Sequence, residues 1–242
     1  MQNNILDRLR EERAMRLKGG LYHYTQVKFA YNTNRIEGSQ LTEDETRYIY
    51  ETHTISTGDN KTANVNDIIE TVNHFSCFDY LQKIAEEPLS EEIIKEFHSI
   101  LKRGTTDSFK DWFKTGDYKT RENFVNDFKT ALPSEVNEKM NELLSNYLKE
   151  EIDFNRIIDF HYNFEIIHPF QDGNGRVGRL IMFKECLKNN IVPFIIEDKN
   201  KLFYYIGLKE YQNSKLRLID TCLSSQDTYK EAIEYLMGNN EK

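Results

Sequence analysis

Two helix-patterned stretches meet across a segment that cannot be helical throughout. Phe154, Ile157, Ile158 and Phe164 recur at near-helical steps, and residues 180–187 are strongly apolar. Between them runs His168-Pro169-Phe170-Gln171-Asp172-Gly173-Asn174-Gly175-Arg176-Val177-Gly178-Arg179. Pro169 disfavours a helix continuing through it and restrains His168 to an extended conformation. Gly173 and Gly175 permit a tight turn, and Asn174 tolerates a left-handed one. The segment therefore reads as loop, glycine-rich turn, then the N-terminus of a buried helix.

That order has chemical content. The first turn of a helix carries N–H groups without intrahelical partners, and the helix dipole favours an anion there. Arg176 and Arg179 are three apart, hence on one face. Two guanidiniums beside an anion cradle suit a polyphosphate, whose oxygens each can grip bidentately. Such a ligand usually arrives with Mg²⁺, and Asp172 offers a hard carboxylate oxygen beside the cradle. His168, just upstream, has the chemistry to take a proton from an incoming hydroxyl. Together these form a phosphotransfer constellation. Competing motifs fail. No G-x-x-x-x-G-K-[ST] occurs. A calcium loop counted from Asp172 meets Arg176 and Val177 at its fifth and sixth positions. No His/Cys cluster has zinc spacing.

The rest of the chain is mostly helical in pattern. Thr42 and Glu45 make a capping box whose helix runs to about His53. A polar loop follows over 57–62. Val65, Ile68, Val72 and Phe75 mark the apolar face of a long helix, closed by Pro88. Ser90, with Glu91 and Glu92, opens another that stops near Gly104. Residues 118–132 are rich in aromatic and β-favouring types around Asn126-Asp127, which predicts a β-hairpin. Pro133-Ser134 starts the next helix, and two more fill 199–212 and 216–237. The fold class is all-α: a helical bundle carrying one hairpin, small enough at 242 residues for one compact unit.

Composition narrows the function classes. A formal charge of −8 argues against nucleic acid as the main partner. Cys77, Cys186 and Cys222 are scattered and read as free thiols of a reducing compartment. Residues 1–18 are charged and lack a signal-peptide core, and no apolar run approaches the roughly 20 residues of a membrane helix. A cytoplasmic protein that binds no membrane is expected.

Residues 168–179 match the Fic signature H-x-F-x-[DE]-G-N-G-R-x-x-R at every specified position. Glu96-Phe97-His98-Ser99-Ile100-Leu101-Lys102-Arg103-Gly104-Thr105 resembles the end of that family's upstream helix. Gly116-Asp117-Tyr118-Lys119 resembles the entry to its flap, with Lys119 where Arg is commoner. The resemblance spans about residues 20–215. It implies a Fic core over 61–215 with a flap at 116–132, preceded by N-terminal helices over 1–60 and followed by a C-terminal helix over 216–242. It also implies an activity: transfer of AMP from Mg-ATP to a Ser, Thr or Tyr hydroxyl of a target protein.

Roles follow from the resemblance residue by residue. His168 is the base. Asp172 holds Mg²⁺. Gly173, Asn174 and Gly175 form the anion nest, and Arg176 and Arg179 grip the outer phosphates. Asn123 to Asn126, with Phe124 and Val125 among them, lie over the nucleotide and dock an extended target segment. Tyr204 and Tyr205 fall where the family contacts adenosine; core packing is the competing reading. The remaining histidines, His161 among them, read as structural or surface groups. Gly175 stands where the phosphorylating Doc-like relatives have Lys, which favours nucleotide transfer.

Thr33-Asn34-Arg35-Ile36-Glu37-Gly38 matches the family's inhibitory pattern [ST]-x-x-x-E-[GN], placed N-terminally in the same chain (the class II arrangement). The resemblance pairs Glu37 with Arg179, which blocks the γ-phosphate position and makes an autoinhibited enzyme. The same pattern also reads as an ordinary helix ending at Gly38. Alternatives stay open: transfer of UMP or phosphocholine, removal of AMP with Glu37 orienting water, or a non-catalytic interaction module. The resemblance also allows self-modification and a homo-oligomer.

Overall fold

Polar caps set where the helices begin. The computed structural model describes residues 3–55, 62–125 and 128–238. Helices α1 (Asn3–Met15) and α2 (Leu21–Ile36) open the chain. At α3 (Glu43–Thr52) the capping box forms: Glu45 N–H donates to Thr42 Oγ1 at 3.1 Å, and Thr42 N–H donates to the Glu45 carboxylate at 2.7 Å. Asn64 caps α4 (Val65–Ile84), and Ser90 caps α5 (Glu91–Lys102). Pro133 occupies the first turn of α6 (Pro133–Tyr147), where its missing N–H costs nothing. Asp153 caps α7 (Phe154–Ile167). Then come α8 (Asn174–Lys188), α9 (Lys201–Glu210) and α10 (Leu216–Gly238).

Helix α8 is the axis of the structure. Every residue from Asn174 to Leu187 is buried, because α2, α4, α5 and α7 all pack against it. A helix wrapped on all sides needs no polar stripe. Phe183 shows the packing: its ring lies 5.1 Å from Phe29 of α2 and 5.5 Å from Phe78 of α4. A second apolar cluster joins Ile36, Ile158, Met182, Phe194, Tyr204 and Leu218, tying the end of α2 to α7, α8, α9 and α10. Helix α10 packs on α9, α2 and α7.

Two expectations change. Val65 and Val72 are 62% and 44% exposed, so they do not mark the buried face of α4. That face runs through Thr71, His74, Cys77, Phe78 and Leu81, turned toward α2, α5 and α8. The expected hairpin over 118–132 is reduced to two residue pairs, Phe124–Val125 (β1) against Phe128–Lys129 (β2), so the described fold is essentially all-helical. The approach to the strands bonds instead to the 167–171 segment: Lys119 N–H donates to Pro169 O at 2.9 Å, and Asn123 Nδ2 to Phe170 O at 2.9 Å. The Asn126-Asp127 turn and the Val125 side chain lie outside the described residues. No described helix is long and apolar enough to cross a membrane.

Candidate active site

His168 caps the C-terminus of α7. Its N–H donates to Phe164 O at 2.9 Å, and its backbone is left-handed, with φ 51° and ψ 61°. The extended conformation expected before Pro169 is therefore not adopted. Proline bars the right-handed helical region to its predecessor, and the chain reversal at this helix end is met by the left-handed one. The imidazole keeps 17% of its surface, with Nδ1 3.8 Å from Glu165 Oε2. Burial, then the Lys119 ammonium, pull its pKa down to about 4. At neutral pH it is an uncharged acceptor.

The loop after His168 is closed by its own side chains. Phe170 is fully buried and stacks on His98 with centroids 4.0 Å apart. Asn174 ties the loop's ends: its Oδ1 accepts from Phe170 N–H at 2.8 Å, and its Nδ2 donates to Phe170 O at 2.9 Å. The left-handed turn belongs to Gly173, at φ 82°, with no side-chain cap on the helix behind it. Asn174 and Gly175 instead lie in the first turn of α8, whose unsatisfied N–H groups face the loop. Gly175 is needed for a different reason. A Cβ there would strike the Glu37 carboxylate.

Beside the nest lies a square of alternating charge. Lys102 Nζ donates to Asp172 Oδ2 and Glu70 Oε1, each at 2.5 Å. Arg176 donates to Glu70 Oε2 at 2.5 Å and Asp172 Oδ2 at 3.2 Å. Although burial alone would raise it, Arg176 and Lys102 hold the Asp172 carboxyl far below the usual range. Its side chain is 48% exposed, so one ionised hard oxygen faces outward. That fits Mg²⁺ carried in by phosphates, which needs few protein ligands. No described group of three acidic, His or Cys side chains makes an all-protein cage. Sequence reasoning missed Glu70 and Lys102. The signal for Lys102 was a cation on the apolar stripe of α5, one turn beyond His98.

Arg179 is taken by α2. Its Nη2 donates to Glu37 Oε1 at 2.6 Å, and its Nε donates to Thr33 Oγ1 at 2.6 Å. Thr33 and Glu37 are one turn apart, so one helix face grips one guanidinium. Glu37 is set there by how α2 ends. Ser39 N–H donates to Asn34 O at 3.0 Å and Gly38 N–H to Arg35 O at 3.1 Å, with Gly38 at φ 101°. This is the Schellman termination, with Glu37 as the cap. The helix-ending reading and the Arg179-pairing geometry thus coexist. Burial pushes the Glu37 pKa up, but Arg179 and Arg176 outweigh it and hold it low.

Residues 88–186 match the family model described as Fic/DOC. The chain carries a Fic domain. Over 196 residues it is 27% identical to "Protein adenylyltransferase Fic" of Nematostella vectensis, covering 77% of this chain and 43% of that protein. It is likewise 27% identical to "Protein adenylyltransferase fic-1" of Caenorhabditis elegans, over 76% of this chain and 36% of that one. The chain spans less than half the length of these curated relatives. Among solved structures, a Fic domain containing signaling protein from Bacteroides thetaiotaomicron superposes with TM-score 0.77 at 21% identity, covering 96% of this chain and 97% of that one. Residues 134–508 of C. elegans Fic-1 give TM-score 0.72 at 20% identity, over 99% and 73%. These likenesses concern the fold.

Within the Fic domain and its flanks, the other expected site residues separate. Tyr204, expected at adenosine, is an interior residue, 1% exposed, with its hydroxyl 2.7 Å from His161 Nε2. It packs in the second apolar cluster and also borders the site, its ring centroid 5.8 Å from the Arg179 guanidinium. Tyr205 is 39% exposed and donates to Ile36 O at 3.3 Å, so it borders the end of α2. Phe124 is 63% exposed on the short hairpin.

Proposed function

We propose that this chain moves AMP from Mg-ATP onto a Ser, Thr or Tyr hydroxyl of a target protein, and that Glu37 holds the reaction off. One observation carries the reading. A carboxylate, Glu37, already sits against Gly175 and on Arg179, at the N-terminus of a buried helix. A carboxylate held at that spot supports reading it as an anion site. The buried Nη1 of Arg179 and Nε of Arg176 have no hydrogen-bond partner among the described residues, which leaves donors for phosphate oxygens.

In the proposed reaction, the target hydroxyl oxygen bonds to the α-phosphorus as the bond to the β-phosphate oxygen breaks, and pyrophosphate leaves. The uncharged His168 imidazole takes the hydroxyl proton. Asp172 would hold Mg²⁺, which supplies charge neutralisation on the phosphates. Arg176 and Arg179 orient the outer phosphates, and the first turn of α8 receives the remaining negative charge. While Thr33 and Glu37 hold Arg179, the outer phosphates lose that clamp and bind unproductively.

Labelled-nucleotide transfer tests this. The wild type, Glu37→Gly and His168→Ala are each incubated with ATP, UTP or CTP, Mg²⁺ and lysate, and self-labelling is scored alongside. Label from the ATP α-phosphate, stronger in Glu37→Gly and absent in His168→Ala, is expected. Label only from the γ-phosphate, or none from any nucleotide, would overturn the reading.

A further inference from the structure

Lys119 is 4% exposed, yet its three hydrogen-bond partners are all neutral. Its Nζ donates to Asn123 Oδ1 and Thr130 Oγ1 at 2.7 Å each, and to Ile167 O at 3.3 Å. Its own N–H donates to Pro169 O at 2.9 Å. One residue thus binds the carbonyl just before His168 and the carbonyl just after it. An ammonium buried without a bonded carboxylate is unfavourable, and burial, only partly offset by the field of Glu135, pulls the Lys119 pKa down to about 8. A neutral side chain could fill the same space without that penalty.

His168, between those two carbonyls, is a non-glycine residue at φ 51°. Such a conformation persists only where its surroundings fix it. We infer that Lys119 is the positioning residue of His168: it fixes the left-handed backbone there from both sides and sets a positive charge beside the imidazole. Its two other bonds reach Asn123 and Thr130, which flank the short hairpin, so the same side chain ties the hairpin legs to His168.

The electrostatic consequence has a definite sign. The titratable groups facing His168 are Lys119 from the hairpin approach, Glu165 from α7, Glu37 from α2 and Asp172 from the loop. Burial and Lys119 favour the neutral imidazole, while Glu37 and Asp172 oppose them. Glu165, whose pKa burial pushes up to about 8, keeps its proton and contributes little charge below that pH. Lys119 stays charged across the whole range in which His168 titrates, since its pKa lies near 8 and that of His168 near 4.

That His168 is the base rests on the proposed transferase reading, but the test does not require it. The His168 imidazole is titrated by NMR in the wild type, Lys119→Met, Lys119→Gln and Lys119→Arg, with His168→Gln assigning the resonance. The wild type should titrate near pH 4. Removing the charge should raise imidazole proton affinity about tenfold in the Met and Gln variants, and Arg should restore the wild-type value. Circular dichroism selects the variants that fold, and Gln carries the test if Met does not. An unchanged titration in a folded neutral variant, or an Arg variant that behaves like Met, would overturn the inference. In the Glu37→Gly background, the acid limb of transfer should move up with the imidazole. If Glu37→Gly transfers nothing, the transferase reading fails while the NMR result still decides the role of Lys119.

Discussion

The Glu37 carboxylate lies so close to the Cα of Gly175 that a methyl group there would collide with it. Glycine at this position therefore answers to an acidic side chain from α2 rather than to the turn, which belongs to Gly173. Gly175→Ala should destabilise the wild type by about 1–3 kcal/mol through overpacking and the Glu37→Gly variant by clearly less. Urea unfolding of the four proteins measures the coupling. Equal losses in both backgrounds would place the strain elsewhere.

Thr33 shares the grip on Arg179. Thr33→Val keeps the shape and removes the Nε acceptor. A typical hydrogen bond contributes about 1 kcal/mol, so labelled transfer should rise by less than tenfold, short of the Glu37→Gly effect. Because Arg179 Nε would then be buried without its partner, a stability loss of about 1–3 kcal/mol should accompany it. Wild-type activity in a folded Thr33→Val protein would remove Thr33 from the mechanism.

The charge square predicts an asymmetry between its two acids. Asp172→Ala leaves Lys102 and Arg176 both bonded to Glu70, whose side chain is only 13% exposed. Glu70→Ala leaves two buried cations sharing the half-exposed Asp172, with Asp107, 4.0 Å from Lys102, as a further acid. Breaking a buried pair costs about 3–5 kcal/mol. Glu70→Ala should therefore lower the urea midpoint well beyond Asp172→Ala, although only Asp172→Ala should abolish the proposed Mg²⁺-dependent transfer. The reverse order of stabilities would refute this account of the square.

Buried titratable groups bound the pH range of stability from both sides. Burial lowers His74, His98 and His161 to about 3. Unfolded, they bind protons below pH 6.5, while the folded protein refuses them until about 3. Stability should therefore fall as pH drops below 6.5. Glu165 acts in the opposite direction. Burial, then Glu37, raise it to about 8, so its contribution is complete below 4.5 and is lost as pH rises through 8. Thermal melts should show Glu165→Gln flattening the alkaline limb while the acid limb stays. An unchanged alkaline limb would contradict the raised Glu165.

Local signals in the sequence were legible where one residue type performs one local task. Thr42 and Glu45 specified a cap, Pro133 a helix start, and the run after Gly173 a buried helix. The 168–179 segment revealed its order of loop, nest and helix for the same reason. What stayed hidden depends on which helix faces which. Glu70 and Lys102 lie 32 residues apart and meet only because α4 and α5 pack together. The buried face of α4 is set by three neighbours rather than by its most apolar residues. Backbone detail at His168 was misjudged because the rule for residues before proline excludes one region without choosing among the rest. The hairpin was overextended because residues 118–132 carry strand-like composition, while their polar groups bond to the loop after α7.

The end of α2 has a further consequence. Gly38 stops the helix so that Thr33 and Glu37 share a face, and each helical residue turns that face by about 100°. Adding or deleting a single residue ahead of Glu37 would swing its carboxylate off Arg179 without altering any group in the cleft. Restraint, on the reading proposed, is then a matter of register, adjustable by chain length alone and separable from the chemistry it governs.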